Sequence, residues 1–241
     1  MVTADGEKGP ELEEIERIYG SRARIGLIVP GPNTVAETEF WRLAPDGVTI
    51  HTARLPFDHY ADDPLEEMEA HLPAAAASLK AAGCDLIAYS CGASSAKEDA
   101  GPGPSARIAA MAEAPVVDAS GALARSLERA GVVRVGLITP YPQDVHDEER
   151  AFLERQGFQV TAEARAIVDE AQDKMMGMRR VPPDMLIEAA LPMAPEVDGF
   201  ALGCTDMPTL AAALEIETRT GKPALSMTLA MWREACRTLM L

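Results

Sequence analysis

Two cysteines hold matching places in this sequence. Cys91 closes the run DLIAYSC, and Cys204 closes DGFALGC. An ionised thiol is both a strong nucleophile and a carrier of protons. Two thiols on opposite sides of one small pocket suit removal and return of a proton at carbon, or nucleophilic addition followed by protonation. Each of these cysteines begins a loop that leads into a helix. A helix N-terminus lowers a thiol pKa, so both are expected to ionise near neutral pH. The other two, Cys84 and Cys236, precede a strand and sit inside the terminal helix, and they read as packing residues. No C-x-x-C pair occurs, so reduced thiols are expected. The four histidines show no H-E-x-x-H or H-x₃-H spacing, and neither a metal site nor any other cofactor is expected.

The elements that must position these thiols repeat along the chain. RIGLIVPGPNT (24–34) and RVGLITPYPQD (134–144) share six of eleven residues at an offset of 110. DLIAYSCGASS (85–95) matches DGFALGCTDMP (198–208) at an offset of 113, which puts Cys91 on Cys204. PVVDASGALAR (115–125) matches PALSMTLAMWR (223–233) more weakly, at an offset of 108. Three collinear windows indicate a duplicated unit of ordinary domain size. The division expected is an acidic N-terminal extension over 1–23, containing the amphipathic ELEEIERIYG, a first half over 24–131 and a second half over 132–241.

Each half alternates short apolar runs with helical patterns. Strands are expected at Ile25–Val29, Val48–Leu55, Leu86–Tyr89 and Val116–Asp118, and again at Val135–Thr139, Phe158–Ala164, Gly199–Leu202 and Ala224–Met227. Helices are expected from Val35, over Pro64–Ala82 and up to Ala130. In the second half they are expected over Val145–Gln156, Pro182–Met193 and Met207–Thr220, and at the C-terminus. Alternation of this kind implies right-handed βαβ crossovers and parallel sheets. The fold class is therefore α/β, two flavodoxin-like parallel-sheet halves related by a pseudo-twofold axis, with the site between them.

Ligands of open α/β sheets bind beyond the carboxyl ends of the strands. The repeat places four loops there: Pro30–Thr34, Ser90–Ser95, Pro140–Asp144 and Gly203–Pro208. None contains Lys or Arg, so backbone N–H groups are expected to hold an anion. No G-x-G-x-x-G follows the first strand and no G-x₄-G-K-[ST] occurs, which argues against a nucleotide. The net charge of −16 and an aromatic content of 5% argue against nucleic acid and against an anionic membrane surface. No basic-then-apolar leader and no run of about 18 uncharged apolar residues is present, so a cytoplasmic protein without a membrane span is expected.

With VPGPNTVAETEF (29–40), SCGASSA (90–96), TPYPQD (139–144) and GCTDMPTL (203–210), the sequence resembles the aspartate/glutamate racemase superfamily. It looks most like the branch of maleate cis-trans isomerase and arylmalonate decarboxylase, over about residues 24–238. The resemblance implies two pseudo-symmetric α/β halves and chemistry without metal or organic cofactor. It assigns Cys91 and Cys204 as the catalytic pair. It makes Asn33 and Thr34 a carboxylate-binding pair that also caps the helix at Val35, and Tyr141 a site tyrosine. Thr205 offers a hydroxyl and an N–H to a carboxylate, and Gly92 an N–H beside Cys91. Arylmalonate decarboxylases have glycine at the first cysteine position, so Cys91 favours two-thiol chemistry. Maleate isomerases carry a site asparagine in the stretch that here reads VDEAQDKMMGM (168–178), where Gln172 is the candidate substitute. Asp169 or Glu170 there, and Asp206 beside Cys204, would repel a dicarboxylate, or Asp206 would seat a substrate amine. Lys174–Met178 reads as a methionine-rich lid.

The expected function is cofactor-independent isomerisation of a small mono- or dicarboxylate, maleate cis-trans isomerase-like. The alternatives are a racemase of an amino acid or another α-substituted acid, an arylmalonate decarboxylase-like enzyme, and last a carboxylate binder without turnover. A homo-oligomer is expected.

Overall fold

Apolar runs of four to eight residues, closed by proline, glycine or a polar loop, become the buried strands of two parallel sheets. The computed structural model describes residues 18–97, 103–169 and 177–241. In chain order the first half comprises β1 (Ala23–Pro30), α1 (Val35–Leu43), β2 (Val48–Leu55), α2 (Pro64–Glu69), α3 (Leu72–Ala81), β3 (Leu86–Tyr89), α4 (Gly92–Ser95), α5 (Pro104–Ala112), β4 (Val116–Asp118) and α6 (Ala119–Arg129). The second comprises β5 (Arg134–Thr139), α7 (Gln143–Arg155), β6 (Gln159–Arg165), a 3₁₀ turn (Met178–Arg180), α8 (Pro183–Met193), β7 (Gly199–Leu202), α9 (Leu210–Thr220), β8 (Ala224–Ser226) and α10 (Met227–Leu239). The sheets have orders β2-β1-β3-β4 and β6-β5-β7-β8, with every pairing parallel. The duplicated sequence is thus a duplicated topology.

The expected helix over Pro64–Ala82 is two helices, α2 and α3, separated at Ala70 and His71. Pro73 explains the break, since it lacks an N–H and its ring collides with the carbonyl four residues earlier. Asp63 caps α2 by accepting the Glu66 N–H at 3.0 Å. Helix α5 was not anticipated, although Pro104 at its first turn and the inward pair Ile108 and Ala112 mark it. The helix expected from Met207 begins at Leu210. Most of ELEEIERIYG lies outside the described residues.

The core does not respect the repeat boundary. One apolar cluster joins Leu27, Phe40 and Leu123 of the first half to Leu137, Leu225 and Met231 of the second. Helix α10 packs on α6 and α1 as well as on β8. There Phe40 and Trp232 meet edge-to-face at 5.7 Å, a geometry worth about 0.5–1.5 kcal/mol beyond area burial.

The loop after β1 is fixed by a close backbone approach. Gly31 N–H donates to the Leu55 carbonyl at 2.7 Å, and a Cβ on Gly31 would stand 2.9 Å from that same oxygen. The carbonyl is already engaged and cannot retreat without losing its bond. Gly31→Ala should therefore cost about 1–3 kcal/mol of stability, read as a lowered urea midpoint with unchanged slope. A midpoint equal to wild type would show that the loop is not held this tightly.

Candidate active site

Strands β3 and β7 are central in their sheets, and each delivers a cysteine two residues past its carboxyl end. Both cysteines line one cavity of about 50 Å³. A single water needs about 10–15 Å³ on this scale, so the space suits a small molecule. Asn33, Gly92, Tyr141 and Thr205 line the same cavity. Six of the seven expected site residues therefore meet. Thr34 does not: its side chain is exposed, and its N–H donates to Asp206 Oδ1 at 2.9 Å. Among the described residues no Lys or Arg lines the cavity, while Asp206, Met178 and the apolar Phe57 and Leu65 do.

Asn33 and Thr205 tie the two halves together beneath the cavity. Asn33 Oδ1 accepts from Val35 and Ala36 N–H, both at 3.1 Å, and so caps α1. Its Nδ2 donates to Thr205 Oγ1 at 3.0 Å, and that hydroxyl donates to the Ser90 carbonyl at 3.0 Å. The expected carboxylate-binding loop is thus occupied by the protein's own groups. A second carboxylate cap crosses the other way, from Glu39 Oε1 to the Thr209 N–H at the start of α9, at 3.2 Å.

Cys204 has φ of 131°, in a region that L side chains rarely enter. Such a conformation costs of order 1–3 kcal/mol and persists only where its surroundings impose it. Here Cys204 N–H points at Met227 Sδ at 3.2 Å, and the Asp206 N–H donates to Cys204 Sγ at 3.3 Å. Met178, from the 3₁₀ turn, places its sulfur 3.5 Å from Cys204 Sγ. Lys174, Met175 and Met176 of the expected lid, together with Gln172 and Glu170, lie outside the described residues. Asp169 is exposed and paired with Arg180 at 2.5 and 3.0 Å, so it does not charge the cavity.

Burial holds both thiols in the neutral form near neutral pH, contrary to expectation. Burial pushes Cys91 up to about 11, against the Ser94 N–H and the Tyr89 hydroxyl, which favour the thiolate. Burial and the adjacent Asp206 charge push Cys204 well above the ordinary thiol range, against the Asp206 N–H and the Tyr141 hydroxyl. Helix α4 has only four residues, so its aligned dipole is too short to offset desolvation. Tyr141 is itself held well above its usual pKa by burial and by the Cys204 and Glu149 charges. It stays a neutral O–H donor beside Cys204. Behind Cys91, the Tyr89 hydroxyl donates to Ser94 Oγ at 2.7 Å and Ser94 donates to Glu69 Oε1 at 2.6 Å. Glu69 pairs with Arg107 at 3.1 Å, so this chain runs from the buried thiol to a partly exposed ion pair.

Sequence reasoning missed Glu149. Helix α7 turns His146, Glu149, Phe152 and Leu153 inward, and two of these slots hold titratable groups. That spacing was the available signal. His146 is partnered by Thr139 Oγ1 at 2.7 Å and by Glu163 at 3.3 Å. Glu149 is fully buried and neither oxygen has a hydrogen-bond partner. Its carboxyl carbon would sit 3.4 Å from a Cβ on Gly203, an ordinary contact, so Glu149 lies against the backbone directly before Cys204.

The sequence model described as arylmalonate decarboxylase matches residues 25–241. The chain belongs to that family. Among its relatives, a maleate isomerase of Geobacillus stearothermophilus is 29% identical over 222 residues, covering 84% of this chain and 86% of the relative. An arylmalonate decarboxylase of Bordetella bronchiseptica is 33% identical over 131 residues, covering 53% of this chain and 54% of the relative. A solved structure of a Nocardia farcinica maleate cis-trans isomerase, a cysteine-to-serine mutant with a covalently bound succinylcysteine intermediate, has a TM-score of 0.79. It is 26% identical, covering 91% of this chain and 93% of that one. These likenesses place the chain in the maleate isomerase and arylmalonate decarboxylase branch of the aspartate/glutamate racemase superfamily.

Desolvation raises Glu149 from the ordinary 4.5 to about 8. A carboxyl raised in the fold contributes stability that is fully present below pH 4.5 and is lost as the pH rises through about 8. Glu149→Gln removes this titration. Relative to wild type, the variant should gain roughly 3–4 kcal/mol between pH 5 and pH 8, measured by urea denaturation at both values. A stability difference that does not change with pH would show that Glu149 does not hold a proton in the fold.

Proposed function

We propose that the protein is a cofactor-independent cis-trans isomerase of a small unsaturated carboxylate, with maleate as the reference substrate. The observation that carries this reading is the meeting of Cys91, Cys204 and Tyr141 around one molecule-sized cavity. The relatives named maleate isomerase support it, and so does the succinylcysteine held by one of them.

In this reading Cys91 Sγ forms a bond to one alkene carbon as its proton passes through the Tyr89 and Ser94 hydroxyls to the Glu69 carboxylate. The π electrons move to the neighbouring carbon and its carboxylate, giving an enolate-like charge. Cys204 then gives its proton to that carbon, leaving a saturated thioether on Cys91 and a thiolate on Cys204. The Asp206 N–H and the Tyr141 hydroxyl stabilise this thiolate. Rotation about the new single bond, removal of the same proton by Cys204 and loss of the Cys91 sulfur release the trans product, and the proton held on Glu69 returns to Cys91. The neutral Cys204 thiol thus starts in the protonation state that the cycle requires, while Cys91 gives up its proton as its sulfur attacks. Asn33, Thr205 and Gly92 shape the cavity wall, and Gly92 is required to be small: a Cβ there would meet Met227 Sδ at 2.7 Å and the Tyr141 hydroxyl at 3.0 Å.

Cys204→Ser removes the proton donor but leaves the nucleophile. Incubated with maleate, this variant should accumulate a mass increase of one diacid on the Cys91 peptide, while Cys91→Ser should show none. Isomerisation by either variant should fall by at least about 10³-fold, as expected when an acid–base or nucleophilic group is lost. Solvent deuterium entering a chiral acid at its stereocentre, with no adduct on Cys91 in any variant, would replace this reading with racemisation.

A further inference from the structure

The wall of the cavity beside Cys204 carries a carboxyl group of its own. Asp206 lines the cavity, and its Oδ1 accepts the Thr34 N–H at 2.9 Å. It also accepts a backbone N–H from Val35. These are the first amides of the nine-residue helix α1, the place where an incoming carboxylate would otherwise be seated. The remaining donors of that loop are engaged too: Asn33 Nδ2 is bonded to Thr205 Oγ1. Asp206 thus occupies the anion seat of the first half from the second half.

Burial, the largest effect, raises Asp206 above its ordinary pKa, while the Thr34 and Val35 N–H groups, Arg179 and Arg54 favour its carboxylate form. Neither arginine lines the cavity. Arg54 is committed to the Gly31 and Asn33 carbonyls, at 3.2 and 2.6 Å, and to Glu37. Among the described residues no side-chain cation is therefore available inside the cavity to neutralise a second substrate carboxylate. Like charges in such a place repel strongly.

We propose that Asp206 makes this site selective for a substrate with a single carboxylate, whose opposite end presents N–H donors, of which the carboxamide is the simplest. This inference rests on the isomerase reading above and narrows its substrate class to cis-alkene half-amides. The amide end donates to the carboxylate of Asp206. The free carboxylate lies toward Gly92 and the Tyr141 hydroxyl, the part of the cavity wall that carries no acid. Carbon chemistry at the alkene is unchanged, because one carboxylate suffices to accept the charge that develops when Cys91 adds.

The test compares maleate with its monoamide on the full-length protein, as kcat/KM for isomerisation at pH 7.5. Wild type should prefer the monoamide by at least about 10-fold, with the difference in KM. Asp206→Asn, which keeps the shape and removes the charge, should reverse the preference toward maleate. Because Asp206 also touches Cys204, the ratio of the two substrates is the readout and not the absolute rate. Wild type alone is decisive where the variant fails to fold. Maleate turned over as well as or better than the monoamide overturns the substrate inference and leaves the isomerase reading standing. Absence of turnover and of a Cys91 adduct with both compounds, in wild type and in Cys204→Ser, brings down both together.

Discussion

The Thr205 hydroxyl is the tie on which the site depends. It accepts from the Asn33 amide and donates to the Ser90 carbonyl, so one oxygen joins the loop after β7 to the loops after β1 and β3. All three groups are buried. Each bond is worth only about 1 kcal/mol net, but a partner left unpaired in this interior would cost about 1–3 kcal/mol. The tie fixes how far apart the two halves stand, and hence the width of the cavity between Cys91 and Cys204. The unusual backbone of Cys204 lies directly before it in sequence, so the strain at one residue is held by the bonding of the next.

Burial, not the helix N-termini, sets the electrostatics. Both thiols, Tyr141 and Glu149 are pushed toward their neutral forms by desolvation. The protein thereby keeps an acidic chain with a net charge of −16 from filling its own active cavity with anions, Asp206 excepted. The site is a set of uncharged donors waiting for charge to appear during the reaction. That is the arrangement in which fixed dipoles stabilise a transition state more than the substrate.

Much of this was legible in the residues. The three repeated windows located β1 with β5, β3 with β7 and β4 with β8, and alignment of Cys91 on Cys204 placed the two thiols at equivalent strand ends. What failed to show had physical causes. Pro73 was weighed less than the long apolar pattern around it, so α2 and α3 were read as one. The helix-forming start of each loop suggested free amides, yet Asp206 and Glu39 had already taken them from across the interface, and cross-half pairing leaves no mark in local sequence. Glu149 belongs to no motif, and only the inward face of α7 sets it apart from the acids around it. The thiol pKa values depended on the depth of burial, which the motif alone does not contain.

The two crossed caps have a consequence for how the molecule holds together. Asp206 of the second half closes the start of α1, and Glu39 of α1 closes the start of α9. Each half therefore carries a helix start that the other half helps to finish, and a shared apolar cluster lies between them. Parting the halves would strand two carboxylates and take a partner from two helix starts at once. Opening and melting become parts of a single event, so the repeat is a duplication of pattern without independence of parts. Any molecule gripped at the seam fastens the whole chain.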